Sequence, residues 1–99
     1  MTIIKKYVET IEEELEGAKE YAEKYVENKV MGDIQKASKY NEMATDELKH
    51  AMYEHEWAVK AVSDISKVYT PPEEMLEKWE KAHRRYVEEV AHIKHMLNM

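Results

Sequence analysis

The chain has 99 residues, no Cys, 36% charged and 43% hydrophobic residues, and a formal net charge of -6. A length of this order makes one domain, and with no disulfide that domain must pack its helices regularly, take up a metal or oligomerise. The negative charge argues against nucleic acid and anionic membranes as partners, because both select clustered Lys and Arg. No apolar run approaches the roughly 18 residues that cross a bilayer.

Two Gly, two Pro and no Phe in a chain rich in Glu, Lys, Ala and Met favour helix throughout, since these side chains lose little rotamer freedom there. The first helix is predicted over about 2–30. Ile4, Val8, Ile11, Leu15, Ala18, Ala22 and Tyr25 alternate steps of four and three, which is one helical face with nearly a heptad period. Gly32 fits its C-terminal cap, and Asp33 fits the N-cap of the next helix.

A second helix is predicted over about 34–68, with Ala37, Tyr40, Ala44, Leu48, Ala51, His55, Val59, Val62 and Ser66 on its apolar stripe. At 1.5 Å per residue it is roughly 50 Å long, far beyond the usual globular helix. Tyr53 and Trp57 lie one turn apart on its outer face and suggest an interface. The third helix is predicted over about 71–97. Thr70 reads as N-cap, Pro71 as the first helical residue and Glu73 as the partner in a capping box. Its stripe is Leu76, Trp79, His83, Tyr86, Val90, Ile93 and Leu97. Short connections make neighbouring helices antiparallel. His55 and His83 sit near stripe centres and read as core or interface histidines with a hydrogen-bond partner.

Glu-x-x-His, which puts both side chains on one helix face, occurs at Glu47/His50, Glu80/His83 and Glu89/His92. Carboxylates suit iron and manganese, and imidazole adds a firm nitrogen ligand. Position separates the three pairs. Glu14 and His50 are equally far in sequence from Gly32, so a hairpin folded there sets Glu14 level with Glu47 and His50. Folding again near Thr70 brings Glu89 and His92 level with them, whereas Glu80 and His83 fall turns away. At 100° per residue, Glu14, Glu47 and Glu89 all lie about 70–80° from their stripe centres on one rotational side, where a partner helix can bury them. Glu54, one turn beyond His50, is a candidate outer contact for a metal.

These residues carry a resemblance. EEELEGAKEYAEKY looks like the first helix of ferritin-like di-iron carboxylate proteins, in which a ligand Glu is followed two turns later by a Tyr; Glu14 and Tyr21 reproduce that spacing. MATDELKHAMYEHE looks like the second, with Glu47 and His50 as its Glu-x-x-His. The resemblance covers about residues 8–60 and is nearest to the short half-ferritins of the encapsulated kind. It implies an all-α fold in which an antiparallel long-helix hairpin, with a third helix added, becomes a ferritin-like four-helix bundle by dimerisation. Two chains would supply four Glu and two His, the complete ligand set.

The resemblance further implies ferroxidase-type oxidation of ferrous iron, with manganese or zinc as other metals for the same ligands. Glu14, Glu47 and His50 would be the ligands, and Tyr21 and Tyr40 candidates to stand beside the metals or simply to pack. A site within one chain, completed by Glu89 and His92, is the variant one carboxylate short of the family pattern. The expected partner is a second copy, in a dimer or a larger oligomer, within a protein shell in the encapsulated case. MTIIKKYVETI lacks the apolar centre of a secretion signal, so the expected location is the cytoplasm or an intracellular shell. The alternative from a different class is a metal-free helical assembly or adaptor protein of a phage- or capsid-associated kind.

Overall fold

Gly32 and Asp33 build the turn on which the architecture depends. Gly32 has φ of +86°, a left-handed conformation that a Cβ would strain. Its N–H bonds the Lys29 carbonyl at 3.1 Å, and the Asp33 N–H bonds the Asn28 carbonyl at 2.9 Å. This pair of bonds is the Schellman closure of a helix end. The Asp33 carboxylate then accepts the Lys36 N–H at 3.1 Å and so caps the next helix. In the computed structural model, which describes residues 2–99, with Thr2 described in its backbone alone, α1 spans Thr2–Val30 and α2 spans Ile34–Val68. The tight turn lays them antiparallel.

The third helix, α3, spans Glu73–Leu97, and it begins later than the capping-box pattern predicts. Pro72 is the N-cap, with φ of -57° and ψ of 140°, and there is no side-chain cap bond. The reason lies in the Thr70-Pro71-Pro72 run. A residue before proline is pushed out of the α region, which disfavours helical dihedrals at both Thr70 and Pro71 and moves the start of the helix to the second proline or beyond. The Pro72 carbonyl takes the first bonds, from the N–H groups of Met75 and Leu76. Glu73 and Glu74 occupy the first turn, where their charge complements the helix dipole.

α3 runs back alongside α1. Trp79 shares a groove with Ile4 and Val8 at one end. At the other, Lys29 Nζ donates to the Met99 carbonyl and Asn41 donates to the Leu97 carbonyl at 3.3 Å. The result is an up-down-up bundle of three helices, 55 × 17 × 17 Å, with no strand among the described residues.

Ile4, Ile11, Leu15, Ala18, Ala22, Ala44, Leu48, Ala51, Ala58, Trp79 and Ile93 form its core. The alanines on the α1–α2 seam are fully buried and let the two axes approach closely, since interaxial distance follows side-chain size at the contact. The α2 stripe departs from expectation beyond His55. Ala58 is buried, while Val59 is 45% exposed and Ser66 is exposed, its hydroxyl bonded back to the Val62 carbonyl. Repeated steps of four drift off the contact line of a straight helix, and contact with α1 is kept by the three-residue step instead. Among the described residues, no helix is long and apolar enough to cross a membrane.

Candidate metal centre

Near the middle of the hairpin, Glu14 of α1 meets Glu47 and His50 of α2. One ligand atom from each lies within 4.8 Å of the other two. His50 Nδ1 is 3.4 Å from Glu14 Oε2 and 4.0 Å from Glu47 Oε1. The geometry comes from two sequence features. The turn at Gly32 sets the level of the two helices, and the three-residue spacing of Glu47 and His50 stacks them on one face. The Glu14 and Glu47 side chains are 23% and 30% exposed, and that of His50 is 56% exposed, so the group is partly desolvated yet open to solvent on one side.

Bringing two carboxylates together has an electrostatic consequence. Burial raises the pKa of Glu47 above its ordinary value, and a hydrogen bond and charge repulsion from Glu14 raise it further, against a smaller opposing pull from His50. A cation placed among the three groups would relieve the repulsion between the two carboxylates. Hard oxygens with one imidazole form a donor set suited to ferrous iron, manganese or zinc.

The other predicted site residues lie elsewhere. Glu54 is half-buried beside a shallow groove with Ile3, Lys6, Tyr7 and Thr10, one turn beyond the group. Tyr21 and Tyr40 stack on one another across the hairpin, 6.2 Å between ring centroids, and Lys24 lies over Tyr40. Glu89 and His92 are not brought to the Glu14–Glu47–His50 group. Glu89 instead faces the α1–α3 groove beside Glu12, Glu16 and Arg85. Glu16 is about 200° around α1 from Glu14, so α3 covers the far side of that helix. Tyr53 and Trp57 stack at 6.3 Å and are each 53% exposed.

His55 and His83 behave as the stripe centres suggest. His55 Nε2 and His83 Nδ1 are 2.8 Å apart. Their rings are inclined by only 19° with centroids 5.0 Å apart, the arrangement of an in-plane N–H···N bond. Tyr86 stacks face-on against His55 at 3.9 Å and 6°. This α2–α3 pair holds the third helix in place on the side away from the carboxylates.

One residue of the site escaped sequence reasoning. Gly17, one turn beyond Glu14, lies directly under the Glu47 carboxylate: a Cβ built there would be 2.9 Å from Glu47 Oε2. The available signal was a glycine inside a long helix, which costs about 1 kcal/mol against Ala and so calls for a reason. No protein-family model matches the chain, and no match was found among curated proteins or solved structures.

Proposed function

We propose that the chain binds ferrous iron at a dinuclear carboxylate centre assembled from Glu14, Glu47 and His50 of two copies, and oxidises it with oxygen. The observation that carries this reading is the convergence of two carboxylates and one imidazole from two helices on a single partly exposed point. One chain offers three ligand groups. Doubling them about a two-fold axis yields four Glu and two His, the set that ferritin-like bundles use for two metals.

A second copy has a face to occupy. On α1, Ile3, Tyr7, Thr10, Glu14, Gly17 and Tyr21 succeed one another in alternating steps of four and three, and on α2 so do Tyr40, Met43, Glu47, His50, Glu54 and Trp57. That is the periodicity of a helix-packing seam, flanking the stripes that build the chain's own core, onto which Tyr7 and Tyr21 of this seam also pack. Ile3, Met43 and Trp57 on it are 49%, 40% and 53% exposed, and the carboxylates lie midway along it. The resemblance of residues 8–60 to half-ferritins supports the same arrangement.

In the reaction, ferrous iron is the substrate. Two ferrous ions give one electron each to dioxygen, which takes two protons and leaves as hydrogen peroxide. The chain's part is to hold two positive ions side by side with carboxylates whose own repulsion the metals relieve. His50 contributes a neutral nitrogen, so metal affinity falls as the solution is acidified and protons compete for the ligands. The metal-free assembly reading draws on the stacked, exposed Tyr53–Trp57 pair, an aromatic patch of the kind that anchors protein contacts.

His50→Ala separates the two readings. The substitution removes the most exposed ligand and touches no core residue. The iron reading expects loss of ferrous binding and oxidation with helical content and oligomeric mass unchanged; ferrous binding that survives in His50→Ala removes the proposed centre.

A further inference from the structure

Gly17 has no backbone reason to be glycine. It lies in the interior of α1, and the glycine that takes a positive φ among the described residues is Gly32. What distinguishes Gly17 is the space over it. The nearest atoms to a Cβ built there are all from one side chain: Glu47 Oε2 at 2.9 Å, Cδ at 3.6 Å and Cγ at 3.8 Å. The Glu47 carboxylate of α2 therefore approaches the α1 backbone at Gly17, Oε2 foremost. Its other oxygen, Oε1, is turned towards His50 Nδ1, and Glu14 stands one turn back on α1.

We infer that Gly17 is a positioning residue: its missing side chain is the slot that lets the Glu47 carboxylate cross onto α1 and meet Glu14 and His50. The role in metal binding rests on the proposed iron centre; the slot itself does not. The argument is one of distances. A methyl group at position 17 would stand 2.9 Å from Glu47 Oε2, so that oxygen must shift, by about half an ångström to reach the 3.4 Å of an ordinary contact. The group that must give way is the end of a flexible side chain, so the fold tolerates the change easily. The ligand does not, because metal and catalytic groups need to be held to about 0.5 Å. Glycine in mid-helix is also a standing cost to α1, since Ala is the better helix former. Gly17→Ala is thus expected to strengthen the helix while spoiling the position of Glu47.

Two measurements test this together. The first is a double-mutant cycle on the apoprotein in chelator, with thermal unfolding of wild type, Gly17→Ala, Glu47→Ala and the double variant. With Glu47 truncated, Gly17→Ala is expected to raise Tm by about 4–8 °C, the full gain in helix propensity. With Glu47 in place, part of that gain is lost to the steric conflict. The difference is the coupling between the two positions. The second is ferrous titration of wild type and Gly17→Ala, with an expected loss of affinity of about 10- to 100-fold, the scale seen when the supports of a metal ligand are disturbed.

Additive effects in the cycle would overturn the slot. Coupling in the cycle with unchanged ferrous affinity in Gly17→Ala would overturn its positioning role. Coupling together with no ferrous binding by wild type itself would uphold the slot and bring down the iron reading instead.

Discussion

Glu47→Gln is expected to make the apoprotein more stable and unable to hold metal. The Glu14 and Glu47 oxygens lie within 4.8 Å. Two like charges at that separation repel by about 0.9 kcal/mol in a fully aqueous dielectric and by about 3.5 kcal/mol at the effective value of 20 that suits protein surfaces. Side chains 23% and 30% exposed leave substantial screening by solvent, so the lower figure is the better guide. Glutamine keeps the shape and the hydrogen-bonding capacity of Glu47 and removes the repulsion. The gain should be about 1 kcal/mol at pH 7.5, or about 4–8 °C in Tm for a domain of this size.

The pH dependence has a definite sign. Glu47 is raised in the folded protein, first by burial and then by Glu14, so its ionisation is a cost to folding. That cost is absent below the unfolded-state value, near 4.5, and grows as pH rises through the higher folded value. The advantage of glutamine should therefore be small at pH 4 and full at pH 7.5. Urea unfolding followed by circular dichroism, in chelator and with unchanged m-value, measures it. An advantage equal at both pH values, or none at pH 7.5, would refute the claim that the two carboxylates repel in the folded chain. This trade of stability for a strained site is common where function requires like charges to converge.

The His55–His83 bond gives a second pH test with the opposite sign. His55 is pushed below its usual value by burial and then by His83, so stability is full above about pH 6.5 and falls as pH drops through the folded value. His55→Phe keeps the face contact with Tyr86 and cannot take up a proton; wild type should lose stability relative to it between pH 7.5 and 5.5, and a constant difference would contradict the assignment. The two candidate caps should also respond unequally. Asp33→Ala is expected to cost about 1 kcal/mol in urea unfolding, whereas Thr70→Ala, at a position that caps nothing, should stay within about 0.5 kcal/mol of wild type.

The three helices and the group of Glu14, Glu47 and His50 were legible because each rests on local rules. Apolar residues at steps of three and four defined the α1 and α2 faces, and Gly32 with Asp33 fixed where the chain reverses. A helix rises by a constant amount per residue, so a known reversal point sets the level of every later side chain. The start of α3 was misread because one local rule overrode another: the Thr70–Glu73 capping pattern lost to two successive prolines. Val59 was placed inside because a stripe extended by steps of four accumulates rotation.

The placement of Glu89 exposes a different limit. Its level was sound, since Tyr86 does lie against His55, but level does not say which side of the hairpin a third helix takes. That choice was made by packing of Trp79, Ile93 and the His55–His83 pair, which no single helix's periodicity contains. Gly17 was overlooked for a related reason. A space matters only in relation to the side chain from another helix that fills it.

The central claim is tested most directly by anaerobic titration of the purified apoprotein with ferrous iron, with oligomeric mass measured on the same sample before oxygen is admitted. The shared centre predicts a dimer or larger assembly that takes up about one ferrous ion per chain and develops ferric absorbance on exposure to oxygen. An intact assembly that binds no ferrous iron above background would contradict it and leave a helical assembly protein in its place.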